Sequence, residues 1–249
     1  MKILALDSSG LVASVAVVAD DVLLAEYTVN YKKTHSQTLL PMLNEVARMI
    51  ELDLHSIDAI AVAAGPGSFT GLRIGSATAK GLGFALEKPL VHIPTVDALA
   101  CNLYGYDGYI CPLMDARRNQ VYTGIYCFEN GCLRTLEAQS PMAVEEIIGK
   151  LNALGKKVVF LGDGVPVYQE LLEKWMEVPF AYAPAHMNRQ RAASVAFLAS
   201  QYIKEGKTES AADHVPDYLR MSQAERERAE AQKRSAEPEK GGIISDDRS

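Results

Sequence analysis

The segment Gly65-Pro66-Gly67-Ser68-Phe69-Thr70-Gly71 joins an apolar run over 57–64 to a helical pattern over about 72–86. Glycines there permit backbone dihedrals closed to other residues, and the helix that follows offers unpaired N–H groups to an anion. Two uses fit: a cradle for a phosphate or nucleotide, or a tight turn that seats a helix close to a sheet. The segment is not a P-loop, because Leu72-Arg73 rather than Lys-Ser/Thr follows its last glycine. It is not the dinucleotide fingerprint either. Its glycines read G-x-G-x-x-x-G, and the next strand ends in His92-Ile93-Pro94 where an acidic residue would be needed.

Asp7-Ser8-Ser9 closes the first apolar strand. An Asp followed by hydroxyls at such a turn suits the phosphate and metal-bound water of an actin-like ATPase, and suits an Asx-turn equally well. The candidate phosphate contacts are therefore Asp7, Ser8, Ser9, Gly65, Gly67 and Ser68. After the glycine segment, Gly75, Ala79 and Gly83 recur at i, i+4 and i+8, with Ser76, Ala77 and Ala85 beside them. Glycine costs about 1 kcal/mol in a helix interior, so this stripe marks a close approach, either to the chain's own sheet or to another molecule. The five histidines read as poor metal ligands: His35 and His55 sit beside helix starts or turns, His92 lies in a strand, His186 and His214 are isolated, and none forms a His-x-x-x-His pair. Asp115-Ala116-Arg117-Arg118 reads as a solvated turn.

The elements that must position these residues follow from periodicity. Three short apolar runs near 3–6, 13–18 and 22–29 are separated by turns too short for a parallel crossover, so they pair antiparallel. A helix over about 36–50 carries Leu39, Leu43 and Val46 on one face, and strand and helix then alternate to about Leu103. Tyr104-Gly105-Tyr106-Asp107-Gly108 reads as a boundary. Beyond it come strands near 109–114 and 120–128, an Asn130-Gly131 hairpin, and helices over about 143–154, up to Trp175, and 192–204. This is an α/β chain of mixed sheets with helices on their faces. From Arg220 the chain holds seven basic and seven acidic residues and little to bury, so 220–249 is expected to be a disordered charged tail.

The chain has 249 residues, 48% hydrophobic and 22% charged, with net charge -6, and an isoelectric point near 5.4. That balance argues against a dedicated nucleic-acid binder, though not against a subunit of an assembly that handles one. No apolar run approaches the roughly 20 residues of a membrane span, and Asp7 interrupts the opening stretch too early for a signal peptide. The four cysteines contain no Cys-x-x-Cys pair. Across a two-residue turn Cys127 would face Arg134 and Glu129 would face Cys132, so free thiols and the cytoplasm are expected.

Five segments occur in order: Leu4-Ala5-Leu6-Asp7-Ser8-Ser9; His35-Ser36-Gln37; the run from Ala64 through the glycine loop to Leu72-Arg73-Ile74-Gly75; Pro112-Leu113-Met114-Asp115-Ala116-Arg117; and His214-Val215-Pro216-Asp217-Tyr218-Leu219-Arg220. Together they resemble the bacterial TsaB (YeaZ) family over roughly residues 1–220. The resemblance implies an actin-like ATPase (ASKHA) fold of two similar lobes. The first would be 1–104, completed by a helix around 190–219, and the second 105–189.

The resemblance also implies a part in making threonylcarbamoyladenosine, beside the anticodon of tRNAs that read codons starting with A. The implied partners are a catalytic TsaD-type paralogue and a TsaE-type ATPase. The paralogue's His-x-x-x-His metal site, laid on this chain, meets Thr95 and Leu99. No catalytic or metal-ligating residue is therefore expected, and the chain would be a scaffold or activating subunit. It would have no cofactor of its own, any ATP or ADP lying at the partner interface, and would reach tRNA only through the complex. The implied contact joins the helices over 36–50 and 72–86 to their counterparts. Its expected residues are Leu39, Leu43, Val46, Leu72, Gly75, Ala79 and Gly83, and the chain alone would use them to form a homodimer. The rival readings are an autonomous ATPase or kinase, which lacks a full second phosphate loop, and a metal-dependent peptidase, which lacks paired histidines.

Overall fold

The structure is a computed structural model that describes residues 1–31 and 34–219; the tail expected over 220–249 lies outside the described residues. Strands β1 (Lys2–Asp7), β2 (Ala13–Ala19) and β3 (Val22–Val29) meander antiparallel, and helix α1 (His35–Met49) leads to β4 (Ala59–Gly65). Helix α2 (Phe69–Leu86), strand β5 (Leu90–Pro94) and helix α3 (Thr95–Ala100) complete the first half. The second half holds β6 (Tyr109–Asp115), β7 (Gln120–Glu129), β8 (Cys132–Ala143), α4 (Val144–Leu154), β9 (Val158–Leu161), α5 (Val165–Trp175), β10 (Phe180–Tyr182) and α6 (Ala192–Lys204).

The two sheets have the same topology. One runs β3-β2-β1-β4-β5 and the other β8-β7-β6-β9-β10. In each, the first strand pairs antiparallel with the second and parallel with the fourth. This is the duplicated, actin-like arrangement that the resemblance implies. A single duplication of whole lobes leaves no short repeat in the sequence, which is why periodicity misses it. Between β7 and β8 the register pairs Cys127 with Arg134 and Glu129 with Cys132, as turn length requires, and all four thiols are free.

Alternation along β1 divides the first core. Ile3 and Ala5 face one way, toward Val195, Leu198 and Ala199 of α6. Leu4 and Leu6 face the other, toward Leu39, Leu43 and Val46 of α1 and Ala79 of α2. This corrects the expected interface. Leu39, Leu43, Val46, Leu72, Gly75, Ala79 and Gly83 are all buried within their own lobe, and Ala79 is 0% exposed. The reason is steric: a Cβ on Gly75 would collide with the Ser8 hydroxyl, and one on Gly83 with Leu90 and Ala211. The small-residue stripe seats α2 on its own sheet. The faces these helices leave exposed carry Leu40 on α1 and Arg73, Ala77, Gly81 and Phe84 on α2.

Candidate functional site at the first glycine loop

β1 and β4 lie side by side and parallel, so Asp7-Ser8-Ser9 and the glycine loop emerge at the same sheet edge, against the start of α2. The structure thus brings together Asp7, Ser8, Ser9, Gly65, Gly67 and Ser68. The Asp7 Oδ1 accepts from the Ser9 N–H at 2.9 Å and the Ser9 hydroxyl at 2.6 Å, an Asx-turn. The Ser8 hydroxyl donates to the Gly71 carbonyl at 2.8 Å. The Gly65–Pro66 peptide bond is cis.

Three of the loop's donors are used inside the chain. The Ser68 N–H bonds the Ser9 carbonyl at 2.6 Å, the Gly65 N–H bonds Thr95 Oγ1 at 3.1 Å, and the Gly71 N–H bonds Ser68 Oγ at 3.3 Å. A Cβ on Gly67 would collide with the Ser9 carbonyl oxygen, and one on Gly71 with that of Ser8. The glycines therefore admit the first turn's own backbone, which packs directly against the loop. The second lobe repeats the device. The Gly164 N–H bonds the Leu113 carbonyl at 2.9 Å, and a Cβ on Gly162 would collide with that same oxygen.

Asp7 is the most perturbed acid of the loop. Burial pushes its carboxyl up to about 6, against the opposing pull of the Ser9 hydrogen bonds and the nearby His35 ring. The folded chain thus holds this proton more tightly than the unfolded chain, whose carboxyl titrates near 3.8. Stability from this group falls as pH rises between those values, and the cost is complete above them. Asp7→Asn keeps an acceptor for Ser9 and abolishes the ionisation. It is expected to stabilise the chain at about pH 8, by no more than roughly 3 kcal/mol, and to leave stability nearly unchanged near pH 3, below both values. Thermal denaturation at the two pH values checks this, and equal shifts at both would contradict it.

Residues the sequence reading passed over hold the loop from outside. Gln139 Nε2 donates to the Gly65 carbonyl, and its Oε1 accepts from the Val96 N–H, each at 3.1 Å. The chain after α6 returns across the loop as a strap. Its Asp217 N–H bonds the Ala64 carbonyl at 2.7 Å, and the Tyr218 ring lies 4.6 Å from that of Phe69. Arg73 sits 4.0 Å over the Phe69 ring and donates to the Tyr218 hydroxyl at 3.3 Å. The only signal for this was the segment His214-Val215-Pro216-Asp217-Tyr218, whose contacts no local pattern reveals. Thr95 and Leu99 are both buried. Leu99 packs with Ile110, Met114 and Leu161 of the second sheet. Asp115 caps its own turn by accepting from the Arg117 N–H at 2.8 Å. Arg117 and Arg118 are exposed and left-handed, as befits a solvated turn.

A family model described as TsaD, tRNA N6-adenosine threonylcarbamoyltransferase, matches residues 22–228. The tRNA threonylcarbamoyladenosine biosynthesis protein TsaB of Bacillus subtilis is 34% identical over 94% of this chain and 100% of its own length. The chain belongs to the TsaB family. The TsaB protein of Escherichia coli is 29% identical over 90% of this chain and 96% of its own. The solved structure of YeaZ from Pseudomonas aeruginosa matches with a TM-score of 0.74 at 28% identity, covering 88% of this chain and 99% of that one. A second structure from that organism, described as similar to peptidase YEAZ, matches with a TM-score of 0.76 at 27% identity over the same shares. Among the described residues no helix is long and apolar enough to cross a membrane.

Proposed function

We propose that this member of the TsaB family serves tRNA threonylcarbamoyladenosine biosynthesis as a non-catalytic subunit, which pairs with and activates a TsaD-type paralogue. One observation carries the reading: the parts of this fold that would do chemistry are given over to packing. Thr95 uses its hydroxyl to hold the Gly65 N–H, and Leu99 is core. The glycine loop packs closely against its neighbouring turn. A lobe built this way offers a rigid surface rather than reacting groups. The paralogue supplies catalysis and most of the tRNA contact, which suits the acidic net charge of -6. A TsaE-type ATPase joins the pair, any adenine nucleotide lies at the junction with a partner, and the complex works in the cytoplasm.

The face proposed for the paralogue is the outer side of α1 and α2, where Leu40 is 54% and Phe84 61% exposed. Ala77 and Gly81 let a partner helix approach closely between them. In the absence of the paralogue the same face closes on a second copy of this chain. The purified chain alone is expected to show no steady ATP hydrolysis and no peptidase activity. Hydrolysis that persists through purification and disappears in Asp7→Ala would replace this reading with that of an autonomous ATPase.

A further inference from the structure

His92 and His214 form no local ligand pair and stand 122 positions apart in the sequence. The fold removes that distance. Leu90 and Glu209 exchange backbone hydrogen bonds, each 2.9 Å, so Glu209 is pinned to the edge of β5 beside His92. A turn in which the His214 N–H bonds the Ser210 carbonyl at 3.2 Å then brings His214 back to Glu209. Lys80 clamps this turn by donating to the carbonyls of Ala212 and His214 at 3.1 and 2.8 Å.

The two Nδ1 atoms converge on one carboxylate oxygen. Glu209 Oε1 stands 2.5 Å from Nδ1 of His214 and 3.8 Å from Nδ1 of His92. One ligand atom from each of the three residues lies within 4.8 Å of those of the other two. Ligands around a tetrahedral zinc ion, at about 2.0–2.1 Å from it, lie roughly 3.3 Å apart, so side-chain adjustment of about an ångström closes the set.

The far side of each ring is also prepared. Nε2 of His92 meets Asp217 Oδ2 at 2.9 Å, and Nε2 of His214 meets the Ser76 hydroxyl at 3.0 Å. Metal-binding histidines characteristically donate their second ring N–H to a carboxylate or another oxygen acceptor, which fixes the tautomer and leaves the first nitrogen free for the ion. Here both rings have such an acceptor, and both face the same Glu209 oxygen. The site has a route to solvent as well, since the side chains of His92 and Glu209 are each 27% exposed while that of His214 is 0% exposed.

We propose that His92, Glu209 and His214 bind one divalent ion of the zinc type, which clips the strap over 209–218 to β5 and so holds it across the glycine loop. Two imidazoles and a carboxylate form a set that zinc accepts, with a fourth position left to water. The negative charges of Glu209 and Asp217 balance the ion. The ion enters neutral imidazoles, and burial already lowers the pKa of His214. Affinity therefore weakens in acid, as the rings become protonated. This departs from the expectation of a metal-free chain, which rested on Thr95 and Leu99 at the paralogue's ligand positions and on the lack of a paired-histidine motif. The role is structural and leaves the non-catalytic reading in place.

The test is Zn2+ or Co2+ titration of the untagged chain after chelator treatment, followed by elemental analysis, visible absorption of the Co2+ form, and thermal melting. About one ion per chain is expected, with melting raised by about 5 °C or more once the ion exceeds its Kd by roughly a hundredfold. His92→Ala and Glu209→Gln lie at the accessible side of the cluster. Each is expected to weaken uptake by about 100-fold or more, and Asp217→Asn by about 10- to 100-fold, with the circular dichroism spectrum retained. His214→Ala is the poorer probe because that ring is buried. The absence of saturable uptake by the wild-type chain would make the cluster a hydrogen-bonded clasp and overturn the proposal. Uptake that survives both His92→Ala and Glu209→Gln would place the ion elsewhere and overturn it too.

Discussion

Gly71→Ala lowers the melting temperature of this chain by about 6–12 °C. The estimate takes a cost of about 3 kcal/mol, the upper part of the overpacking range, at 2–4 °C per kcal/mol for a chain of this size. The upper part applies because the added methyl meets the Ser8 carbonyl oxygen, which is backbone and cannot swing aside. Relief would require the end of β1 to move, and β1 is the central strand of its sheet. Ala79→Leu acts through the same seating of α2 and is expected to destabilise by about 1–3 kcal/mol, because Ala79 is fully buried. Gly81→Ala is the control within the same helix. A Cβ there meets nothing within 4 Å, so the gain in helix propensity, about 1 kcal/mol, raises the melting temperature by about 2–4 °C. Thermal denaturation of the three variants checks the set. A Gly71→Ala chain that melts like wild type would mean that the first turn does not fill the loop.

The second large effect is on association. Phe84→Arg places a charge where the proposed interface has its largest exposed apolar side chain on α2. Truncation or charging of such an anchor costs 2 kcal/mol or more, so affinity for the paralogue is expected to fall about 30-fold or more. Leu40→Arg on α1 is expected to act in the same direction. Both residues are exposed in the single chain, so at concentrations where the homodimer is dissociated neither substitution should shift melting by more than about 0.5 kcal/mol of stability. Calorimetric titration with the paralogue separates this pair from Ala79→Leu, whose first effect is on folding. If Phe84→Arg and Leu40→Arg both bind like wild type, the partner contacts another face.

Most of the fold was legible because long periodic segments and short turns constrain pairing strongly. The meander at the start, the β7–β8 register around Asn130-Gly131, and the helices ending near Leu86, Leu154 and Lys204 all follow from local pattern. Amphipathicity also located the apolar faces of α1 and α2 correctly, but not what covers them. Leu39, Leu43 and Val46 have the spacing of a buried stripe whether the cover is a sheet of the same chain or a helix of another, and here it is the sheet. The site was legible only in part, for a related reason. Asp7, Ser8 and Ser9 announce a turn, and the glycines announce close approach, yet what approaches is the turn itself. The cluster of His92, Glu209 and His214 depends on a strap returning across a finished sheet. No window of sequence contains both ends of that contact.

In the proposed function, this chain supplies a surface and the paralogue supplies the chemistry. The most direct test is the initial rate of threonylcarbamoyladenosine formation on tRNA in a mixture of purified components, with TsaE-type ATPase, threonylcarbamoyl donor and ATP held constant. Formation is expected when this chain and the paralogue are both present. It should be lost when either is omitted, and reduced with Phe84→Arg in proportion to the lost affinity. Modified adenosine formed by this chain without the paralogue, or the full rate reached by the paralogue without this chain, would contradict the claim.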